Sequence, residues 1–599
     1  LGKLWCAWPL LLVDHNWPPP DNRGWQDASV FAVGREFLFE RNDGQRLVVI
    51  GRCMMVVLWL ATVLATYAAA RQIAGRAAGL LALTLAVLCP TLLAHGRLVT
   101  TDVPITLILL LTLLAFGRLA HGITWRRLLA AGAALAAASV TKFSWPLVVP
   151  ALLVMGLVVV ARRAPLPLRL RLPRVEGQQS ADVATSLRAR WQRVAALAAL
   201  GAVVALLVWL GVWTTYLWRG SVVAPPSPDA TPEALAELER TNMLMNMDWQ
   251  AALRDRAGEP RTGPLVELLR FAAERGLLPD AYLLGLAQTM ATTDERPAYL
   301  CGAYSLDGWR SYFPIAFAVK TPIATQALIL AGTAALLLRR VRVRDGVLLA
   351  GLVTFGAVYA AYVINGRLNI GLRHLLPTMP VLYVMGGAAA AWLTRRAGRW
   401  LVGGAVAWLL AANLWVHPHY LAYFNELAGG PAHGHRYLAD SNIDWGQDLL
   451  RLADYARRHP HEELKLAYFG SAVATRYVPC TALPSYYGFE PAADLTPGTY
   501  VVSITQALGV YMPAIRPAYW TGQRRQEYAA LAAEALAPPR PEATDVEWRA
   551  QVELRRTFED MRARRLLSRL AERPPDERIG WSLRVYRLSA EDIEELTRP

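Results

Sequence analysis

Charge is scarce in this sequence. Asp, Glu, Lys and Arg make up 18% of its 599 residues, against about 25% in ordinary soluble proteins, while 54% of the residues are apolar. The shortage is local, because residues 219–311 and 418–599 have an ordinary soluble composition. The cysteines (Cys6, Cys53, Cys89, Cys301 and Cys480) lack metal-ligand spacing, so nothing points to a cysteine-built metal centre. Cys53 and Cys89 fall inside apolar spans as packing residues. Cys301 and Cys480 fall on one side of the membrane, where a disulfide between them is an option. No Gly-rich phosphate loop, solenoid repeat or signal peptide is found. The sequence opens at Leu1 rather than Met and reads as incomplete at its N-terminus.

What is there is a set of long apolar stretches. A membrane-crossing helix needs about 20 apolar residues. The candidates are Leu47–Ala70, Ala77–His95, Val103–Leu119, Val194–Leu217, Tyr312–Leu338, Gly346–Ile364, Leu372–Leu393 and Leu401–Val416. Leu128–Val160 is interrupted by Lys142, Trp145 and Pro146 and reads as a hairpin of two short helices, which gives about ten crossings. The net charge of +15 does not indicate nucleic acid, because many of the arginines sit in short loops between spans. Alternation collects Arg71, Arg76, Arg118, Arg126, Arg127, the arginines of 162–193, Arg339–Arg344 and Arg395–Arg399 on one side. The positive-inside rule makes that side cytoplasmic.

The expected architecture is mainly α: a polytopic helical bundle with a small external α/β C-terminal domain in a cell membrane. Residues 1–46 form an external juxtamembrane segment, and 47–218 a first transmembrane bundle with a Pro/Arg-rich cytoplasmic linker at 162–193. Residues 219–311 form an external loop region with helical patterning at 232–240 and Leu265–Arg275. Further spans occupy 312–417, and 418–599 the soluble domain. Within that domain the sequence predicts strands at Arg436–Leu438, Lys465–Phe469, Tyr500–Ile504 and Trp581–Arg587, a helix from Gly446 to Arg458, and exposed helices within 521–575.

Ionisable groups in or beside membrane spans are expensive and therefore informative. On the external side they are Lys3, Arg97, Asp102, Lys142, Lys320, Arg373 and His374. Cations gathered around a carboxylate suit an anion held at the membrane surface, and a carboxylate there can act as base or metal ligand. Helix capping accounts for Asp102 in part, but leaves Arg97, five residues earlier in so short a loop, unexplained. Lys320 is placed either to snorkel or to bind an anion, and Arg373 to hold a phosphate with its planar fork. The run Asp440-Ser441-Asn442-Ile443-Asp444-Trp445-Gly446-Gln447-Asp448 offers acceptors (Asp440, Asn442, Asp444) for a cation or sugar hydroxyls. Local physics favours an acidic helix start with Asp444 as cap.

Three stretches carry a family resemblance: His95–Pro104, the Gly308-Trp309…Tyr312-Phe313-Pro314…Lys320-Thr321-Pro322 run, and Gly371–Pro377. They resemble bacterial GT-C glycosyltransferases of the protein O-mannosyltransferase and aminoarabinose-transferase group (family 39 type). His419–Asn425, Gly429-Gly430 and Asp440–Asp448 resemble one subgroup, and the likeness extends over residues 1–470. It implies a multi-pass enzyme with an external active site, a polyprenyl-phosphate-linked sugar as donor, and transfer with inversion to an acceptor hydroxyl on a protein, lipid or glycan. It also implies that Asp102 is one of two acids. Leu1-Gly2-Lys3-Leu4 resembles the end of the stretch that follows the other, so that acid would precede Leu1. Lys3, Lys142, Lys320, Arg373 and His374 are then the expected donor-phosphate residues, with a divalent metal at Asp102 a further option. Two other readings share the membrane topology: a transporter or flippase of lipid-linked glycan, and a catalytically silent scaffold that displays the C-terminal domain. The one-sided charge placement favours the enzyme.

Overall fold

The computed structural model describes residues 1–599 apart from 20, 27–28, 172–181, 222–230, 234, 237–238, 240–248, 256, 294–295, 487–494 and 539–543. Pro173, Arg174 and much of the expected helix at 232–240 lie outside the described residues.

Among the described residues six helices are long and apolar enough to cross a membrane: Gly44–Ala74, Asp102–Ala120, Arg190–Thr215, Gly346–Asn365, Leu372–Thr394 and Arg396–Val416. Tyr312–Lys320 and Ile323–Leu337 meet at 109° and make a seventh if counted as one broken span. Arg76–Val87 and Trp145–Ala161 are apolar but shorter. The expected ten crossings are thus corrected to six or seven helices of sufficient length. Backbone chemistry explains the difference. The Ala77–His95 stretch is cut where Pro90 starts a separate short helix, Pro90–His95. Pro322 drives Thr321 into an extended conformation and ends the helix before it. The interruption at Lys142–Pro146 divides Leu128–Val160 into the helices Trp125–Ser139 and Trp145–Ala161.

Asp102–Ala120 is an inner helix, with 72% of its apolar window buried, whereas Arg190–Thr215 has 6% and lies at the periphery. Asp102–Ala120 packs on Gly44–Ala74, on Trp125–Ser139 and on the turn Leu372–Thr378. At its C-terminal end the arginine-rich segments gather. There Asp345 caps Gly346–Asn365 by accepting from the Leu348 N–H at 2.9 Å. The same carboxylate accepts from Gln72 at 2.7 Å and meets His121 at 2.8 Å, which ties three helix ends together. Within the expected linker 162–193, strands β1 (Leu166–Arg171) and β2 (Asp182–Leu187) pair antiparallel, a feature the Leu-x-Leu-x-Leu alternation of β1 carries.

Residues 264–305 form helices Pro264–Glu274 and Asp280–Thr293, then the antiparallel strands β3 (Ala298–Leu300) and β4 (Ala303–Ser305). After the last long helix comes a sheet of β5 (Leu464–Ala467), β6 (Thr481–Ala482), β7 (Gly498–Ser503), β8 (Glu577–Ile579) and β9 (Leu583–Leu588), in the order β6-β5-β7-β9-β8. It is mixed: β5 runs parallel to β6 and β7, while β9 is antiparallel to β7 and β8. Side-chain alternation gives it two apolar faces. Val501 and Val585 pack with Leu449, Leu452 and Tyr455 of helix Leu449–Arg458. Tyr500, Val502, Tyr586 and Leu588 pack with Ala563, Leu566, Leu567 and Leu570 of helix Asp545–Glu572. Sheet and helices together are the expected α/β region, with three corrections. Arg436 ends a 3-10 turn rather than starting a strand. The helix expected from Gly446 begins at Leu449. Cys301 and Cys480 are not joined by a disulfide.

Candidate functional site

Asp102 is the first residue of the inner helix, and Thr101 before it makes no side-chain cap. The helix N-terminus adds positive partial charge at the carboxylate, and two cations complete its surroundings. Lys142 donates from Nζ to Oδ1 at 2.6 Å, and Arg373 from a terminal guanidinium nitrogen to Oδ2 at 3.3 Å. Lys142 comes from the loop between Trp125–Ser139 and Trp145–Ala161, and Arg373 from the 3-10 turn Leu372–Thr378. The Asp102 side chain is 3% exposed, against 24% for Lys142 and 16% for Arg373. One carboxylate against two cations leaves a net positive site.

The surrounding walls hold unspent hydrogen-bonding capacity. Arg373 Nε, His374 Nε2 and His95 Nδ1 are buried and have no partner. An unpaired buried polar atom costs about 1–3 kcal/mol, so three of them together mark a place built for a polar group. Arg373 also lies over an aromatic ring, its guanidinium carbon 4.4 Å from the centre of Trp445. The His95 ring meets Trp445 edge-on, with centres 5.9 Å apart. Sequence reasoning passed over Trp445. Its only signal was a large aromatic in the middle of an acidic run.

The other candidates sit elsewhere. Lys320 is buried, and its ammonium donates to the backbone carbonyls of Leu421 at 2.9 Å and Tyr423 at 3.0 Å, and to that of Asn442. The Phe424 ring centre lies 4.3 Å away. The three N–H bonds of Lys320 are thereby engaged by the chain that follows the last long helix. Arg97 donates to the Pro418 carbonyl at 3.2 Å, joining the loop before Asp102 to the same segment. Lys3 is exposed on the short helix Gly2–Ala7. Its neighbour Gly2 packs so closely on Pro104 that a Cβ there would come within 3.1 Å.

The Asp440–Asp448 run works as a clasp. Asn442 Oδ1 accepts from the Leu372 N–H at 3.0 Å, and its amide donates to the Tyr312 hydroxyl at 2.9 Å. Ser441 donates to the Ile370 carbonyl at 2.9 Å. On the other side, Asp440 accepts from the Tyr511 hydroxyl, and Asp444 from the Ser503 hydroxyl and, at 3.4 Å, the Thr505 N–H. Asp448 accepts from the Ser582 hydroxyl at 2.8 Å. The membrane segments are thus stitched to the sheet. Asp444 does not cap a helix as expected, because the helix starts at Leu449, one turn beyond it. Burial pushes the Asp444 carboxyl up to about 7, against the hydrogen bonds that pull it down, and burial also raises Asp440.

Among the described residues no three His, Cys, Asp or Glu side chains converge as a metal site. Asp102 is poorly suited to a divalent cation, since each of its oxygens already faces a cationic side chain.

Residues 42–174 match the family model for dolichyl-phosphate-mannose-protein mannosyltransferases, a stretch that includes Asp102 and Lys142. No curated protein matches the chain. Over that stretch the chain is similar to this family of GT-C glycosyltransferases, and its long apolar helices are those of a multi-pass membrane protein.

Proposed function

We propose that the protein transfers a sugar from a polyprenyl-phosphate donor to an acceptor hydroxyl, with inversion, at the Asp102 site. The observation that carries this reading is the pairing of Asp102 with both Lys142 and Arg373 in a net-positive, largely buried cluster. The prenyl tail stays in lipid, and the phosphate meets Arg373 and Lys142. As the bond between the anomeric carbon and the phosphate oxygen breaks, charge grows on the leaving phosphate, where preorganised cations stabilise it. The acceptor oxygen attacks from the opposite face and its proton is released to the external water, so a single displacement inverts the centre. Asp102 holds the two cations in register and orients the acceptor. His95 and His374 supply hydrogen bonds through ring nitrogens that are otherwise unpaired. The Arg-rich end faces the cytoplasm by the positive-inside rule, and the transfer site and C-terminal domain face outward.

The test is transfer of radiolabelled sugar from a polyprenyl-phosphate donor by protein in detergent or proteoliposomes. Asp102→Asn is expected to lower turnover by about 10²-fold, the scale of misplacing groups that position the reactants. Unchanged turnover would remove Asp102 from the site.

A further inference from the structure

We infer that Trp445 is a positioning residue of the transfer site, through which the C-terminal domain fixes the plane of the Arg373 guanidinium. The inference rests on the donor-phosphate role given to Arg373 above. That guanidinium makes one hydrogen bond to Asp102, at 3.3 Å, and its Nε is buried without a partner. One bond fixes one corner of a planar fork and leaves rotation about it free. The indole face, 4.4 Å from the guanidinium carbon, supplies the missing constraint. Bidentate recognition of a phosphate depends on that plane, which is why lysine does not replace arginine in such sites.

Trp445 is itself held. Its backbone N–H donates to Gln447 Oε1 at 2.7 Å. Gly446 follows at φ +72°, with no room for a Cβ beside Tyr468. On its other side Asp444 is fastened to Ser503 and Thr505 at the end of β7. Two residues further back, Asn442 is fastened to Leu372, the residue beside Arg373. The same loop therefore fixes both the indole and the turn that carries the guanidinium. An indole serving only to pack would sit among aliphatic side chains. This one is half-buried, with a guanidinium on its face and the His95 imidazole meeting it edge-on. The domain after the last membrane helix thus contributes a side chain to a site built on both halves of the bundle.

The probe is undecaprenyl phosphate, titrated against the full chain in detergent, with donor KM and kcat measured in parallel. Trp445→Leu is expected to weaken binding about 10-fold, the scale of a partly desolvated cation–π contact, and to raise KM more than it lowers kcat. Trp445→Phe, which keeps a ring, should restore most of the affinity. In an Arg373→Lys background, Trp445→Leu should cost little more, because no planar fork remains to be oriented; a residue that merely supports the fold would give additive losses. Should Trp445→Leu fail to fold, Trp445→Phe and Trp445→Met in the two backgrounds give the same cycle. Wild-type protein that does not bind undecaprenyl phosphate would overturn the donor reading and this inference with it. Wild-type binding with unchanged affinity in the Trp445 variants, or additive losses with Arg373→Lys, would overturn this inference alone.

Discussion

Lys142 and Asp102 meet at 2.6 Å although the two stand 40 residues apart, one in the loop between two helices and the other at the start of a third. Neither is cheap to hold in an apolar bundle alone, because an unpaired charge there carries a desolvation cost of several kcal/mol. Their union with Arg373 is the electrostatic centre of the membrane region. Asp102→Asn would leave Lys142 and Arg373 facing each other uncompensated. A loss of about 3–5 kcal/mol of stability is expected from breaking such a pair, read as a lowered melting temperature in detergent. Asp102→Asn combined with Lys142→Met should recover part of it, since the second change removes the stranded charge.

Arg373 and Lys320 should separate cleanly by experiment. Arg373→Ala removes a group facing the proposed phosphate and should weaken donor binding by about 1.5–3 kcal/mol, the scale of one charge-assisted contact. Lys320→Ala removes the donor shared by Leu421, Tyr423 and Asn442 and should act on stability, by on the order of 3 kcal/mol, with a smaller effect on affinity. Donor titration and thermal melting of both variants decide the matter. A larger affinity loss at Lys320 would reverse the assignment.

Asp444 gives the clasp a pH dependence of definite sign. Its folded carboxyl is raised to about 7, mainly by burial, whereas the unfolded chain releases the proton near about 3.9. The folded state therefore binds the extra proton between those values, and its stability falls as pH rises across that window. The contribution is complete below about pH 4 and is lost as pH climbs through about 7. Melting curves of wild type and Asp444→Asn between these limits should converge or cross as pH rises, the variant lacking this slope. Parallel curves would contradict the assignment.

Asn442→Ala tests the clasp from its membrane side. It removes the acceptor for the Leu372 N–H and the donor to Tyr312. Increased protease sensitivity of the segment between the last long helix and β5 is the expected outcome, with loss of activity following from misplacement of Arg373 and Trp445.

How much was legible in the sequence depended on the kind of signal. Asp102, Lys142 and Arg373 stood out because a charge within an apolar stretch has few cheap explanations, and the structure brings all three together. The break between Trp125–Ser139 and Trp145–Ala161 was legible for the same reason, since Lys142, Trp145 and Pro146 interrupt an apolar run. The partners of Lys320 were not, because backbone carbonyls more than 100 residues away leave no mark on composition. Trp445 stayed hidden because the acidic residues around it drew the reading toward a helix cap. The length of each crossing was overestimated where hydropathy ran on across breaks such as Thr321-Pro322.

The central claim, that a polyprenyl-phosphate sugar sits on Arg373 and Lys142 beside Asp102, is tested most directly by mass spectrometry of lipid retained by the purified protein. Wild type should carry a polyprenyl-phosphate-linked sugar that survives delipidation better than bulk phospholipid, and Arg373→Ala should lose it. Retention of the same lipid by Arg373→Ala, or the absence of any polyprenyl phosphate from wild type after incubation with donor, would contradict the account.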